Sequence, residues 1–173
     1  MVAWCQDNIA TAYPNFRFQH ADVLAGSHNP DGAIAACDFV FPYPKKSFDL
    51  IIAASVFTHM LPDAIETYVA QVARVLKSDG RLFMTALLFD IDAAEAVVTG
   101  RTIFNFRHAV GPCLTFDRER PEEGIACPED WLSRVLERNG LRIVSIRRGN
   151  WRTVRAYEVM HDYVVVSRIA NAS

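Results

Sequence analysis

The chain has 173 residues, of which 51% are hydrophobic and 22% are charged, a composition typical of a folded globular protein. Its formal net charge of −2 provides no overall field that would hold a nucleic acid, and no apolar stretch approaches the roughly 20 residues that span a bilayer. We therefore expect one soluble domain with no nucleic-acid or membrane partner.

The four cysteines, Cys5, Cys37, Cys113 and Cys127, form no C-x-x-C pair and stand at no zinc-ligand spacing from a histidine. We interpret them as reduced thiols and expect a cytoplasmic protein without a metal site. Polar residues close to Met1 interrupt any apolar run, so no signal peptide is predicted there.

The first third of the chain is predicted to contain one helix and two strands. Residues 1–13 have a helical apolar face, which Pro14 ends. Residues 16–22 alternate apolar and polar side chains, which is the period of a strand. After a loop rich in Gly, Asn and Pro, the apolar run at 48–56 is typical of a strand covered on both faces.

Helices and strands continue to alternate through the rest of the chain. The region 101–126 interrupts this order, because it is irregular, aromatic and rich in charge. We interpret it as an insert or lid within a single domain that spans residues 1–173. Further helices are predicted at 62–76, 90–100 and 128–139, and further strands at 81–88, 141–146 and 162–169.

This order predicts an α/β fold, Rossmann-like, with a mostly parallel sheet and helices on both faces. The final two strands have no helix between them, so they should form a C-terminal antiparallel hairpin. The apolar strands at 48–56 and 81–88 should run side by side in the same direction. Ligands bind beyond the carboxyl ends of such strands, and that shared edge is the expected site.

Polar residues follow two of the predicted strands. Asp22 could accept a hydrogen bond from the amino group of a ligand, or it could cap a turn through its own backbone. Ser55 could face a ligand or cap the turn that leaves the sheet. His59 is a candidate general base because an imidazole is largely neutral at physiological pH, although a lone histidine more often packs or bonds structurally.

Aromatic residues lie in the segments expected to cover this edge. Phe104 and His108 in the insert, with Trp151 before the last strand, either form a substrate wall or anchor the loops to the core. Arginines cluster in the same late region, where a solvated surface is a simpler explanation than a site for an acidic substrate or nucleic acid. The cluster comprises Arg142, Arg147, Arg148, Arg152 and Arg155.

Residues 48–60, FDLIIAASVFTHM, form an apolar run that starts with Phe-Asp and contains a Ser before a His. This run resembles the fourth strand of class I S-adenosylmethionine (SAM)-dependent methyltransferases, a family in which that strand often reads F-D-hydrophobic-S-hydrophobic and then His. Residues 72–82, VARVLKSDGRL, are similar to its helix into strand five, often R-V-L-K-P-G-G, with Ser78 and Asp79 in place of Pro and Gly. With residues 15–23 resembling strand three, and the last two strands resembling six and seven, the resemblance covers nearly the whole chain.

The resemblance implies that Asp22 bonds the adenine amino group of SAM and that the backbone of Val23 meets the ring edge. It implies that Ser55 and Val56 lie near the methionine part of the cofactor, and that His59 and the insert face the acceptor. The implied activity is transfer of a methyl group to an oxygen, nitrogen or carbon of a small molecule. Positioning can supply much of that catalysis, because a sulfonium is already a good leaving group.

The sequence departs from the family because it contains no G-x-G turn, which the family uses to bind the methionine portion. In the family, the first two strands lie between strands three and four. Without them, strand three would lie about 14 Å from its nearest partner in the sheet. We favour the explanation that the chain is a fragment whose start lies upstream. Alternatively, the strand at 16–22 pairs directly with the strand at 48–56, or a second copy, as in a homodimer, or another polypeptide supplies the missing strands.

Two other functions compete with methyl transfer as an interpretation of the sequence. A non-catalytic pseudoenzyme or binding module, or an inactive fragment of a longer methyltransferase, would keep the scaffold without the glycine turn. A nucleotide-dependent oxidoreductase on a similar sheet would also need such a turn, and it has no independent support in the sequence.

Overall fold

The computed structural model describes residues 1–26, 28–152 and 159–170. Most of the predicted helices and strands are confirmed, with ends that differ by a few residues. In chain order the elements are α1 (Val2–Cys5), which continues as a π-helical segment (Gln6–Ala10), β1 (Val23–Leu24), β2 (Ile34–Ala35), β3 (Phe48–Ala53), α2 (Pro62–Val75), β4 (Leu76–Ala86), β5 (Leu88–Phe89), α3 (Ile91–Val98), β6 (His108–Val110), β7 (Cys113–Thr115), β8 (Ile125–Pro128), α4 (Glu129–Arg138), β9 (Leu141–Arg147) and β10 (Asp162–Arg168).

The main sheet has the strand order β3-β4-β10-β9. β3 and β4 are parallel neighbours, with Leu50 opposite Arg81 and Ala53 opposite Met84, as predicted for the two apolar strands. β10 is antiparallel to both β4 and β9, which confirms the C-terminal hairpin. The α/β fold class is therefore confirmed, with three strands of this sheet running in one direction and β10 in the other.

Helices α2 and α4 cover one face of the main sheet. On that face the side chains of Leu82, Met84 and Val164 are fully buried. On the opposite face Leu50 is 55% exposed and Ile52 is 63% exposed. The prediction that this strand is covered on both faces is therefore wrong for the described residues, because no described helix buries the second face at these positions.

The insert is more regular than its composition suggested. β6 and β7 form an antiparallel hairpin, β7 pairs with β8, and β8 pairs in parallel with β5. This second sheet packs around a hydrophobic cluster that includes Phe106 and Trp151. Strands of two to four residues carry too little alternation to be recognised in a sequence, which explains why they were missed. The role of the insert as a lid stays a prediction.

Residues 16–22 form no strand, contrary to prediction. Pairing begins only at β1, where Val23 lies opposite Ile34 of β2. An alternating pattern becomes a strand only where a neighbouring edge supplies hydrogen bonds, and Phe16 instead remains largely exposed. Direct pairing of this segment with residues 48–56 is thus not found among the described residues.

A buried aspartate joins the two sheets. Asp162 begins β10 and has no exposed surface. Its Oδ2 accepts hydrogen bonds from the backbone N–H of Leu88 (2.7 Å) and from the indole N–H of Trp151 (2.9 Å), and its Oδ1 accepts from the N–H of Gly149 (2.8 Å). Charge-assisted hydrogen bonds of this kind offset the cost of burying the carboxylate. Asp162 therefore binds β5 and the turn at Trp151 to the main sheet.

We expect Asp162→Asn to lower the free energy of unfolding by on the order of 3 kcal/mol, because the amide presents an NH₂ group where a buried donor needs an acceptor. Asp49→Asn is the matched control. Asp49 pairs with Lys77 at 2.7 Å but is 83% exposed, so its substitution should cost less than about 1 kcal/mol. Urea unfolding followed by circular dichroism measures both losses, and equal losses would contradict the role of Asp162.

Candidate active site

A cavity of about 300 Å³ lies at the carboxyl end of β3. Residues after β3, including the 3₁₀ turn Phe57–His59, form one wall. Residues between 21 and 25 form another, together with His28 and Asn29. Glu122, from the 3₁₀ turn Pro121–Glu123 of the insert, contributes to the third. The cavity therefore lies at the predicted edge of the sheet, enclosed by three segments that are distant in the sequence.

The turn that leaves β3 places Ser55 in an unusual backbone conformation. Its φ of 54° lies in the left-handed region, which residues other than glycine seldom adopt. The Ser55 N–H donates a hydrogen bond to Thr85 Oγ1 near the end of β4 (2.7 Å). The following 3₁₀ turn has no side-chain cap. Ser55 thus lines the cavity, and its backbone connects the ends of the two parallel strands.

The insert holds His59 in one orientation. The Nδ1 atom of His59 lies 2.9 Å from the backbone carbonyl oxygen of Glu122. A carbonyl oxygen only accepts hydrogen bonds, so Nδ1 carries the proton and Nε2 of the neutral ring is unprotonated. The ring of His28 lies 5.1 Å from that of His59, measured between centroids. His59 therefore lines the cavity with Nδ1 bonded to the insert and Nε2 not engaged in that bond, and its role as a base stays a prediction.

Asp22 and Val23 lie where a second cavity adjoins the first. This cavity, of about 510 Å³, is bordered by residues 19–22 and by β3, and it meets the first at Val56. The exposed carboxylate of Asp22 accepts one hydrogen bond at Oδ1 from the side-chain amide of Asn29 (3.3 Å). The same amide donates to the Val23 carbonyl oxygen (2.9 Å), so Asn29 holds the segment that carries both residues.

Comparison with known proteins shows which fold carries these cavities. Residues 1–84 match the family model of the methyltransferase domain. A SAM-dependent methyltransferase from Methanosarcina mazei is similar in structure, with a TM-score of 0.54 and 17% identity over 79% of this chain and 65% of that chain. The PH0226 protein from Pyrococcus horikoshii OT3 is also similar, with a TM-score of 0.50 and 13% identity over 82% of this chain and 62% of that chain. The chain carries a class I SAM-dependent methyltransferase fold.

The chain spans only part of the proteins it matches. It covers less than two thirds of the two structures above. It covers 48% of the 1,6-didemethyltoxoflavin-N1-methyltransferase of Burkholderia thailandensis, which is 18% identical over 79% of this chain with a TM-score of 0.45. At these identities the similarity to solved structures shows the fold alone. The activity of the chain depends on its own residues.

The methyltransferase fold brings together five of the residues predicted for the site. Val23, Ser55, Val56 and His59 line the first cavity, and Asp22 borders the second. Their roles toward SAM and the acceptor stay predictions.

Phe104, His108 and Trp151, which were predicted to contact the substrate, line neither cavity. Phe104 stacks on Phe116, with ring centroids 5.0 Å apart, and His108 pairs with Thr115 across β6 and β7. Trp151 has no exposed surface, and its indole N–H is occupied by Asp162. Phe104 and Trp151 therefore pack in the hydrophobic cluster of the insert, as in the second of the two interpretations, and His108 is part of its β-sheet.

The late arginines are partly used in ion pairs within the fold. Arg148 bonds Glu129 and Asp90, and Arg152 bonds Asp90. Arg155, the last of the cluster, lies outside the described residues. The charges of Arg148 and Arg152 are therefore paired with carboxylates of the fold, which favours a structural role for these two arginines over a site for an acidic ligand.

Sequence reasoning missed three residues of the site. His28, Asn29 and Glu122 all line the first cavity, yet none follows a strand. The Asn29-Pro30 pair signals a turn and could have directed attention to that loop. No signal points to Glu122, because its contact with His59 joins residues 63 positions apart.

No helix among the described residues combines the length and the apolar character needed to cross a membrane.

His161 lies near the site, directly before Asp162. Burial lowers the pKa of His161 below its ordinary value of 6.5, and repulsion from His59 lowers it further, while Asp162 opposes the change. Because the unfolded chain takes up this proton first, His161 stabilises the fold above about pH 6.5, and that contribution is lost as the pH falls toward the lowered pKa.

We expect His161→Gln to reduce the loss of stability that accompanies acidification. Urea midpoints measured on the wild type and the variant between about pH 7.5 and about pH 5 test this expectation. His20→Gln, at an exposed histidine, is the control and should follow the wild type. If both variants follow the wild-type curve, the lowered pKa of His161 makes no contribution to stability.

Proposed function

We propose that this chain transfers a methyl group from SAM to a small-molecule acceptor. The observation that carries the proposal is the cavity at the carboxyl end of β3, where Ser55, Val56 and an oriented His59 converge. Its volume, with that of the adjoining cavity, falls in the range of small-ligand sites. The methyltransferase domain match over residues 1–84 supports the same reaction class.

The residues around the two cavities suit SAM in charge and polarity. Asp22 offers a carboxylate oxygen to an amino group beside a cavity with largely apolar walls, as an adenine ring requires. Among the described residues, neither cavity is lined by Lys or Arg, and Glu122 adds a carboxylate to the first. A cationic sulfonium would therefore meet no repelling charge there.

When bound, SAM supplies a methyl group activated by its sulfonium. The chain's own residues would then orient the acceptor and accept its proton. His59 Nε2 is free to take a proton from an acceptor hydroxyl or amine, while Nδ1–H remains bonded to Glu122. The apolar side chains of Met60 and Leu61 and the ring of Tyr68 line the same cavity and would exclude water from the reacting groups.

The lining also favours a small, uncharged or cationic acceptor over a polyanion. Binding to a nucleic acid depends on Lys and Arg contacts to phosphates, and the described lining contains neither residue.

Cytoplasmic location remains our proposal from the cysteine pattern. A homodimer remains one as well: the outer edge of β3 has no partner strand among the described residues, and the exposed Leu50 and Ile52 on its face offer apolar surface that a second copy could cover.

A non-catalytic binding module is the second candidate. Two observations favour it: the sequence has no G-x-G turn, and among the described residues β3 has no strand on its outer side. Such a module would keep the cavity without holding the methionine end of SAM.

Isothermal titration of the protein with SAM separates the two candidates, and we expect micromolar binding. Asp22→Ala should then weaken binding roughly 5- to 150-fold, the effect of about 1–3 kcal/mol for a lost charge-assisted hydrogen bond. Asp31→Ala, at an exposed aspartate of the same loop, is the control and should bind as the wild type does. No heat from the wild type would support the binding module, and an unchanged Asp22 variant would refute the adenine contact.

For His59→Ala we expect methyl transfer to slow by about 10²-fold or more with SAM affinity retained, since the base is lost and the cofactor contacts remain. The rate is followed as release of S-adenosylhomocysteine with a panel of phenol and amine acceptors. His108→Ala is the matched control, because His108 lies outside both cavities. A wild-type rate for the His59 variant would make His59 a structural residue.

A further inference from the structure

Two buried cysteines face each other in the second sheet. Cys113 of β7 has no exposed surface and Cys127 of β8 has 5%. Their Sγ atoms are 2.6 Å apart. Leu114 lies opposite Ala126 in these antiparallel strands, so the next position along the register sets Cys113 opposite Cys127.

This geometry lies close to that of a covalent bond. A disulfide requires Sγ atoms about 2.05 Å apart and Cα atoms roughly 4.4–6.8 Å apart. Directly opposed residues of antiparallel strands have Cα atoms about 4.5–5.5 Å apart, which lies within that range. The sulfurs therefore need to approach by only about half an ångström, without a change of register. We propose that Cys113 and Cys127 are an oxidation site that forms an intrachain disulfide in the presence of a peroxide.

The reaction balances with hydrogen peroxide as the oxidant. One thiol attacks the peroxide, its sulfur gains the oxygen of a sulfenic acid, and one water leaves. The sulfur of the second cysteine then attacks the sulfenic sulfur, and a second water leaves as the S–S bond forms. Two thiols are oxidised, one peroxide is reduced, and both thiol protons end in water. A small oxidant suits this pair, because the surrounding core excludes larger ones.

The disulfide would close a loop that belongs to the candidate site. Residues 113–127 include Glu122, whose carbonyl oxygen accepts the hydrogen bond from His59. Oxidation would therefore restrain the third wall of the first cavity. The pKa of Cys127 is raised by its hydrogen bond with Cys113 and by burial, so the thiolate is scarce and oxidation should be faster at alkaline pH.

The test is to treat the folded protein with hydrogen peroxide at mildly alkaline pH, block free thiols with N-ethylmaleimide in denaturant, and map tryptic peptides by mass spectrometry. Trypsin releases residues 108–118 and 119–134, since the Arg120–Pro121 bond resists cleavage. We expect these two peptides to be linked, with a mass two hydrogen atoms below their sum. The link should raise Tm by roughly 6–12 °C, and dithiothreitol should reverse the rise.

Two variants control the assignment. The double variant Cys5→Ser, Cys37→Ser should keep both the link and the rise in Tm, and Cys113→Ser should lose both. Labelling of Cys113 and Cys127 by maleimide after peroxide treatment would overturn the proposal. So would a link between two chains, seen as a dimer on a non-reducing gel. The linked peptides are mapped on the wild-type protein. The proposal can therefore be tested even if Cys113→Ser folds poorly.

Discussion

The buried carboxylate of Asp162 joins β5, the turn around Trp151 and β10, which are distant in the sequence. Asp162 lies opposite Ala86 at the carboxyl end of β4, beside the edge where the candidate site opens. By binding β5 there, it also positions β8, which pairs with β5, and with β8 the rest of the insert. The insert in turn brings Glu122 to His59. The position of the candidate base therefore depends, through successive backbone contacts, on one buried carboxylate that accepts three hydrogen bonds and lies 3.7 Å from the guanidinium of Arg152.

The elements that could be predicted are those in which a local pattern decides the structure. Helix α2 follows from the apolar spacing after Pro62, and the parallel strands β3 and β4 follow from the apolar runs that they contain. Gly140 follows α4 and adopts a left-handed φ of 71°, the conformation in which a glycine commonly ends a helix. Residues 16–22 show the opposite case. The alternation of apolar and polar side chains is compatible with a strand. A strand forms, however, only where an adjacent strand supplies hydrogen bonds, and the local sequence contains no information about that adjacent strand.

The same distinction divides the residues of the site. Ser55 and His59 could be located because they follow an apolar strand, and the carboxyl ends of such strands bind ligands. The sequence left Trp151 between two interpretations, because a loop tryptophan has the same local sequence whether its indole faces a ligand or a buried carboxylate. Glu122 could not be found at all, since it acts on His59 through a backbone carbonyl, and every residue has one. What the sequence lacks, in each case, is the identity of the long-range partner.

The partner of His59 also bears on how strong a catalyst it can be. An imidazole that donates from Nδ1 to a carboxylate gains a full negative charge to stabilise the imidazolium formed on proton uptake. The carbonyl of Glu122 offers only a dipole, which selects the tautomer but stabilises the charged ring less. Such a base is adequate where the leaving group is already activated and the main requirement is alignment of the reacting atoms. A carbonyl-oriented histidine is therefore better matched to assisting transfer from a sulfonium, as proposed, than to a reaction that relies on a strong base.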